Sequence, residues 1–463
     1  MGTFDVVIVG AGPGGYVAAI RASQLGLKTA IIEREHLGGV CLNWGCIPTK
    51  ALLRTAEIKH LIDTAHTYGI TVKDATVDME KIVARSRAIS AQLAAGIKGL
   101  LSKHKVTVIT GNATFEGPKT LCVESAGKKE KVTGQHIIIA TGARPRLLPN
   151  APDSDRIWTA KQAMTPTFLP KSLLIIGSGA IGIEFASFYK ALGTDVTIVE
   201  MQNRILPNED EEISKLAEKT FSKQGMHFHL GASVKELKAD KNTVTASLET
   251  ADKKTLNLTV DALIVAIGIV GNTDGLGLEK TKVRVEKNQI VVDQWCQTQE
   301  PGVYAIGDVA GAPWLAHKAS HEAIICVEKI AKHKDVQPLN KSNIPGCTYS
   351  LPQIASVGLT EAKAKEQGID VKIGRFPFRA NGKAQALGES DGLVKTIFDA
   401  KTGELLGAHM IGAEVTELIQ GFVIAKTLET TEAELMHTIF PHPTLSEMMH
   451  ESVLDAYGQV IHY

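Results

Sequence analysis

The chain repeats one hydrophobic pattern. A short run of β-branched and aliphatic residues ends in glycines, and a longer stretch with helical spacing follows. Phe4-Asp5-Val6-Val7-Ile8-Val9 reads as a strand buried on both faces of a parallel sheet. Gly10-Ala11-Gly12-Pro13-Gly14-Gly15 follows, then a predicted helix from Tyr16 to Leu25 and a strand, Thr29-Ala30-Ile31-Ile32, ending at Glu33. Residues from about 51 to 105 read as long helices. Val106 to Ile109 reads as a strand leading into Gly111 to Phe115, and a hairpin is expected around Ala126-Gly127-Lys128. Ile137 to Gly142 reads as another buried strand, and the proline-containing stretch Arg144 to Pro152 as a domain boundary.

The pattern then restarts. Leu173 to Ile176 reads as strand, Gly177-Ser178-Gly179-Ala180-Ile181-Gly182 as turn, Ile183 to Leu192 as helix, and Val196 to Val199 as strand ending at Glu200. Asp261 to Gly268 mirrors Ile137 to Gly142, and Gly302 to Val309 reads as a strand closing on Gly307-Asp308. From Asn343 the runs alternate apolar and polar, as antiparallel strands do: Cys347 to Leu351, Val371 to Phe376, Gly392 to Phe398 and Leu405 to Met410. Helices follow from about Val415. The expected fold class is α/β, with two Rossmann-like dinucleotide-binding domains and a C-terminal α+β domain.

Both glycine turns match the dinucleotide fingerprint. Its first glycine makes a tight turn, its second lets a pyrophosphate approach the backbone, and its third packs helix on strand. Glu33 and Glu200 stand at the same interval after Gly15 and Gly182, where an acid binds ribose hydroxyls. Two copies at matched spacing argue for two dinucleotide sites. Glu200 would repel a 2′-phosphate, and Met201-Gln202-Asn203 offers no cation to receive one, with Arg204 the only nearby candidate, which favours NAD over NADP.

Between the first fingerprint and the long helices lies Gly38-Gly39-Val40-Cys41-Leu42-Asn43-Trp44-Gly45-Cys46-Ile47-Pro48-Thr49-Lys50. On a straight helix, residues five apart are separated by roughly 7.5 Å along the axis. A disulfide wants Cα atoms within roughly 4.4–6.8 Å. Cys41 and Cys46 could bridge only across a distorted turn, for which Gly45 supplies latitude, with Pro48 in the first turn of the next helix. That places Cys46 near a helix N-terminus, which favours a thiolate. Buried reduced thiols remain open on spacing alone. Cys122, Cys296, Cys326 and Cys347 are scattered singly, which argues against a zinc site.

Composition narrows the classes. The 463 residues carry equal numbers of acidic and basic side chains, so the footprint of a general nucleic-acid binder is absent. Six cysteines form no secreted disulfide framework. No apolar run approaches the roughly 20 residues of a membrane span. Strand-like sequence from Phe4 leaves no room for a signal or transit peptide. The expected location is a bacterial cytoplasm, or a mitochondrial matrix if the source is eukaryotic. Near the C-terminus, Pro443 holds His442 extended, and Glu447 stands where a carboxylate could orient that imidazole. Thr444-x-x-Glu447 is equally a helix capping box.

On the segment Gly38 to Lys50, the paired fingerprints, Ala305 to Asp308, Leu315 to Ala319, and His442-Pro443-Thr444 with Glu447, the chain resembles the flavin-dependent pyridine nucleotide–disulfide oxidoreductases, along essentially its whole length. The resemblance implies a division into an FAD-binding domain (1–149), an NAD-binding domain (150–270), a central segment completing the FAD domain (271–341) and a dimerisation domain (342–463). It implies that Gly10, Gly12, Gly15, Glu33, Ala113, Thr141, Gly142, Asp308 and Ala316 contact FAD, and that Gly177, Gly179, Gly182, Glu200 and Gly268 bind NAD. Lys50 would lie by the flavin, paired with Glu184. Cys46 would face the flavin and Cys41 would exchange with substrate. His442, oriented by Glu447, would be the base, supplied from the other subunit of a homodimer. The branch it is most similar to oxidises protein-bound dihydrolipoyl groups, working with the lipoyl domains and acyltransferase core of 2-oxoacid dehydrogenase complexes or in glycine cleavage. No metal is implied. Glutathione-type and mercuric-type reductases share the architecture. The former would want cations after Glu200 and the latter a C-terminal cysteine pair, whereas this chain ends Val460-Ile461-His462-Tyr463. From another class, a flavin scaffold or redox sensor without turnover would not need both cysteines, Lys50 and the His442–Glu447 pair. Phe440 and Ile269-Val270-Gly271-Asn272 depart from the commoner family pattern.

Overall fold

The computed structural model describes residues 2–463, which form two compact units. The first takes the chain up to Leu52, Glu80–Arg146 and Gly268–Leu339. Its sheet runs in the order Thr107–Thr110, Thr29–Glu33, Gly2–Val9, Lys128–Ile139, Thr120–Ser125, Asn112–Gly117, with Val303–Ala305 also pairing Lys128–Ile139. Gly2–Val9 is parallel to Thr29–Glu33 and to Lys128–Ile139. Helices Pro13–Gln24 and Ala316–Ile330 bury Ala18, Ala22, Ala323 and Val327 against Val6, Ile8 and Ile138.

One strand differs from the sequence reading. Ile137 to Ile139 and the hairpin arm beginning at Lys128 are a single strand of twelve residues. Its first half pairs antiparallel with Thr120–Ser125 across a turn at Ala126 and Gly127, both with positive φ. Its second half pairs parallel with Gly2–Val9 and Val303–Ala305. The polar outer half masks this continuity, because only the inner half is covered on both faces.

The second unit takes Leu53–Met79, Leu147–Ile267 and Asn340–Tyr463. It thus groups residues that the sequence reading divided at 270 and 342. Leu53–Met79 joins it because His60 Nε2 lies 3.1 Å from Glu389 Oε1 and Tyr68 donates to the Leu387 carbonyl at 2.5 Å. A parallel sheet runs His227–His229, Asp195–Val199, Ser172–Ile176, Ala262–Val265, Ile157–Trp158. Beside it in sequence is an antiparallel meander, Ser233–Ala239, Val244–Glu249 and Thr255–Val260, which the sequence reading did not identify. The C-terminal sheet runs Gly346–Thr348, Gln353–Gly358, Leu405–Gly412, Leu393–Asp399, Val371–Pro377, and Gln353–Gly358 was likewise not foreseen. Leu405–Gly412 is buried at every position and carries a core of Phe376, Phe398, Met410, Phe422, Met448 and Val453. Gly374 lets helix Glu447–Ala456 lie on this sheet, since a Cβ there would collide with the Ser452 carbonyl.

Candidate active site

The two fingerprints have the same atomic construction. Gly10 and Gly177 have φ of +103° and +101°, and a Cβ on either would collide with a carbonyl oxygen, of Ala140 or Ala266. Gly15 and Gly182 press against the carbonyls of Gly10 and Gly177. Gly12 and Gly179 have nothing within 4 Å on the Cβ side, which leaves that side open for a ligand at the N-terminus of helices Pro13–Gln24 and Ala180–Ala191. Glu33 accepts from the amides of Ala11 (2.7 Å) and Glu35 (2.8 Å). Glu200 accepts from the amides of Ser178 (2.9 Å) and Gln202 (2.8 Å), and from the Ser178 hydroxyl. Each carboxylate is aimed before any ribose arrives.

These contacts separate two kinds of glycine substitution. Gly179→Ala is expected to keep the melting temperature and weaken NADH binding at least tenfold, because its methyl occupies ligand space. Gly182→Ala is expected to cost about 1–3 kcal/mol of stability through overpacking. Thermal melts and NADH titration of both variants check this. A destabilised Gly179→Ala with intact binding would contradict the assignment.

The cysteine turn rests on the first fingerprint. The Gly38 amide donates to the Ala11 carbonyl at 2.8 Å, and a Cβ on Gly39 would stand 2.6 Å from the Gly12 Cα. Helix Gly39–Trp44 stops at Gly45, and helix Cys46–Thr64 starts afresh. That break brings the two sulfurs to 2.6 Å and puts Cys46 at the first position of the new helix. The Cys46 sulfur beside it, and then burial, push the Cys41 thiol well above the usual range, with Lys50 opposing them. Asn43 donates to the Leu37 and Gly39 carbonyls, and Thr49 to Gly45. Arg87 lies 4.1 Å from the centre of the Trp44 ring and donates to the Asn43 carbonyl. The sequence reading passed over Asn43, Thr49 and Arg87; nothing in the periodicity of helix Met79–Lys103 sets Arg87 apart.

One cleft in this unit is lined by Gly10, Gly12, Glu33, Cys41, Cys46, Ala113, Thr141, Gly142, Asp308 and Ala316. Apart from Cys41, which was expected to meet substrate, these are residues expected on the flavin side, and the cleft gathers them from distant parts of the chain. Gly15 lies behind the wall as a packing glycine, and Lys50 follows Cys46 by one turn along its helix. The wall has its own supports. Thr141 donates to the Asn272 carbonyl at 2.8 Å, and Asn272 donates back to Thr141 at 2.9 Å. Burial raises the Asp308 carboxyl above the ordinary aspartate range against the pull of Lys318. Lys318, 1% exposed, donates to the carbonyls of Gly307 and Gly311 and pairs with Glu322 at 3.0 Å. Glu322 in turn accepts from the Gly307 amide. The Lys318–Glu322 spacing is the only trace of this device in the sequence.

In the second unit, Glu447 divides its oxygens. Oε1 is 2.9 Å from His442 Nδ1, and Oε2 accepts from the Thr444 amide at 2.9 Å. The capping box is therefore half formed, because the Thr444 hydroxyl donates to Pro441 and helix Glu447–Ala456 begins three residues later. Burial works against ionised Glu447, yet the Thr444 amide and His442 hold its carboxyl below the usual range. Its side of the pair is thus present above the ordinary glutamate pKa and lost only as pH falls through the lowered value. The His442 side chain is 79% exposed. Glu184 is buried on helix Ala180–Ala191, and its Oε1 accepts from the Tyr349 amide at 3.0 Å. Gly268 belongs instead to the first unit, where it has φ +99° and its carbonyl accepts from the Arg146 amide. Among the described residues no cluster of ligands suits a metal, and no helix is long and apolar enough to cross a membrane.

Two dinucleotide cradles, a close cysteine pair on the wall of one of them and an oriented histidine define an oxidoreductase that moves electrons between thiols and a pyridine nucleotide. The comparisons agree. The profile of the pyridine nucleotide-disulphide oxidoreductases matches residues 4–323, and that of their dimerisation domain residues 344–453. The chain belongs to the pyridine nucleotide-disulphide oxidoreductase family. It is an oxidoreductase served by FAD and NAD, with a domain for homodimer formation. It is 55% identical to the dihydrolipoyl dehydrogenases of Rhizobium etli and Zymomonas mobilis, each alignment covering 99% of both chains. The Bacillus subtilis dihydrolipoyl dehydrogenase is 45% identical over the same shares. Among solved structures, LpdA of Mycobacterium tuberculosis superposes with a TM-score of 0.90 at 28% identity, covering 98% of this chain and 99% of that one. The HOCl-induced flavoprotein disulfide reductase RclA of Escherichia coli, solved as a Cu(II) complex, gives 0.88 at 27%, with the same coverage.

Proposed function

We propose that the protein is a dihydrolipoyl dehydrogenase, oxidising protein-bound dihydrolipoyl groups with NAD+ as final acceptor. The observation that carries the reading is the pair of sulfurs 2.6 Å apart on the wall of a cleft shaped for a dinucleotide. FAD fits that cleft: Gly12 leaves its pyrophosphate side open, Glu33 suits a ribose, and Asp308 can hydrogen-bond a polyol. Gly10, Gly15, Ala113, Thr141, Gly142 and Ala316 complete this site. Gly177, Gly179, Gly182, Glu200 and Gly268 serve NAD. The domain division inferred from sequence is part of the same reading.

The residues act in this order. His442 donates from Nδ1 to Glu447, which frees Nε2 to take a proton from a substrate thiol. The substrate thiolate attacks the Cys41 sulfur, the Cys41–Cys46 bond breaks, and Cys46 leaves as thiolate. Its position at a helix N-terminus, near Lys50, favours that charge. The second substrate thiol attacks the substrate sulfur of the mixed disulfide as its proton passes to the departing Cys41 sulfur, while His442 keeps the first proton. The substrate leaves as a cyclic disulfide, and Cys41 and Cys46 remain reduced. Bound FAD supplies the route for that electron pair to NAD+. Lys50 and Glu184 would support the flavin side. An exposed His442 suits a base delivered to the cysteines of the other subunit in a homodimer. The partners would be the lipoyl domains and acyltransferase core of 2-oxoacid dehydrogenase complexes, or glycine cleavage, in the cytoplasm of a bacterium.

Anaerobic titration with dihydrolipoamide is expected to produce a long-wavelength absorption band, and added NAD+ to yield NADH. The absence of both signals would refute the proposal. Turnover only with glutathione disulfide and NADPH would replace it with a glutathione reductase.

A further inference from the structure

We propose that Lys395 of the dimerisation domain is a positioning residue for the second nucleotide site, acting through the loop that follows Glu200. The inference rests on the reading that the second fingerprint binds NAD.

Lys395 lies in the middle of strand Leu393–Asp399 and its side chain is 2% exposed. An ammonium there needs partners, since burying it alone is costly. It has three: Asp210 at 2.8 Å, Glu361 at 2.8 Å and Glu212 at 3.0 Å. Arg375 adds a second cation, 2.9 Å from both Glu212 oxygens. Asp210 caps helix Glu211–Lys223 by accepting from the Glu212 amide. Burial opposes its ionisation, yet Lys395 holds the carboxyl below the ordinary aspartate range. The ammonium therefore clamps the start of that helix.

The chain entering the helix is the loop 201–209. The Gln202 carbonyl of this loop accepts from the Gly231 amide at 2.9 Å, and Leu206 attaches the loop to the fingerprint. The Leu206 amide donates to the Ser178 carbonyl at 3.0 Å, and the Leu206 carbonyl accepts from the Glu209 amide and the Ser214 hydroxyl. Ser178 is the residue whose amide and hydroxyl hold Glu200. The loop is thus tied at one end to the ribose-binding carboxylate and at the other to a buried charge. An apolar side chain could seal the Lys395 position at lower desolvation cost. A charge matched to Asp210 does more, because it specifies where the loop must end.

The test uses FAD-loaded Lys395→Met. Its NADH dissociation constant, from fluorescence titration, is expected to rise about fivefold or more. Tryptic cleavage at Arg204 should accelerate and be slowed again by saturating NADH. Reduction by dihydrolipoamide in the absence of NAD+ should keep its rate. If Lys395→Met does not fold, Glu361→Gln keeps two of the three carboxylates and is expected to weaken NADH about two- to threefold. A folded variant with unchanged NADH affinity and unchanged Arg204 cleavage overturns the inference, even if its melting temperature falls. A wild-type enzyme that does not bind NADH overturns instead the reading on which the inference rests.

Discussion

Cys41→Ser is expected to lower dihydrolipoamide oxidation by about four orders of magnitude or more, the scale on which removal of a covalent nucleophile or its partner acts. The effect should be chemical, not structural. Cys41 is partly exposed on the cleft wall, and serine is close to its size. FAD content and melting temperature should therefore stay near wild type. Cys46→Ser should lose activity to the same degree, but the two variants should not be equivalent. With Cys46 replaced, Cys41 can still be captured as a mixed disulfide by an activated lipoyl disulfide, and mass spectrometry should show the adduct. With Cys41 replaced, the same treatment should leave the turn unmodified. An adduct on Cys46 alone would reverse the two roles.

His442→Gln should lower kcat/KM for dihydrolipoamide at neutral pH by about 10²–10⁴, the usual contribution of a positioned acid–base group. Glutamine removes the basic nitrogen and preserves polarity at a site that is 79% exposed, so the fold should tolerate it. The residual rate should climb as pH rises toward the pKa of the substrate thiol, because hydroxide then does what His442 no longer does. Glu447→Gln should cost less, since the imidazole remains but loses the carboxylate that fixes its tautomer at 2.9 Å. A pH–rate profile measures both. A wild-type profile in His442→Gln would remove this residue from the mechanism.

The readable parts of the chain share a physical property. Gly10 and Gly15 are each required by backbone only a few residues away or by a strand end that the apolar runs already mark, while Gly12 between them keeps the space beside the turn open. The same holds for Gly177, Gly179 and Gly182. The break at Gly45 followed from the reach of a disulfide across a helix, and the helix boundary at Cys46 answers it. The flavin-side contacts Ala113, Asp308 and Ala316 were of another kind. They came from the family resemblance, and alone each looked like any small or turn residue.

The missed features fail for matching reasons. Ser233–Ala239 carries Lys235, Glu236 and Lys238, and Thr255–Val260 alternates only three apolar residues with Thr255, Asn257 and Thr259, so the hydrophobic signal of each is short. The strand Lys128–Ile139 looked like two elements because its halves have different neighbours. Arg87 resembles any other cation on a helix until it is found over Trp44.

By itself, then, the amino-acid sequence determined the two nucleotide turns, their acids, the cysteine turn and the order of the elements around them. These depend on φ, on short-range sterics and on periodicity, all of which are encoded within a few contiguous residues. Only the tertiary structure decided which buried charges have partners. Lys318 props the Asp308 turn and Lys395 gathers Asp210, Glu212 and Glu361, contacts set by long-range packing. A buried lysine and a solvated one are the same letter in the chain. The cost of desolvation, and the carboxylates that offset it, come into being only when distant strands and helices close around the charge.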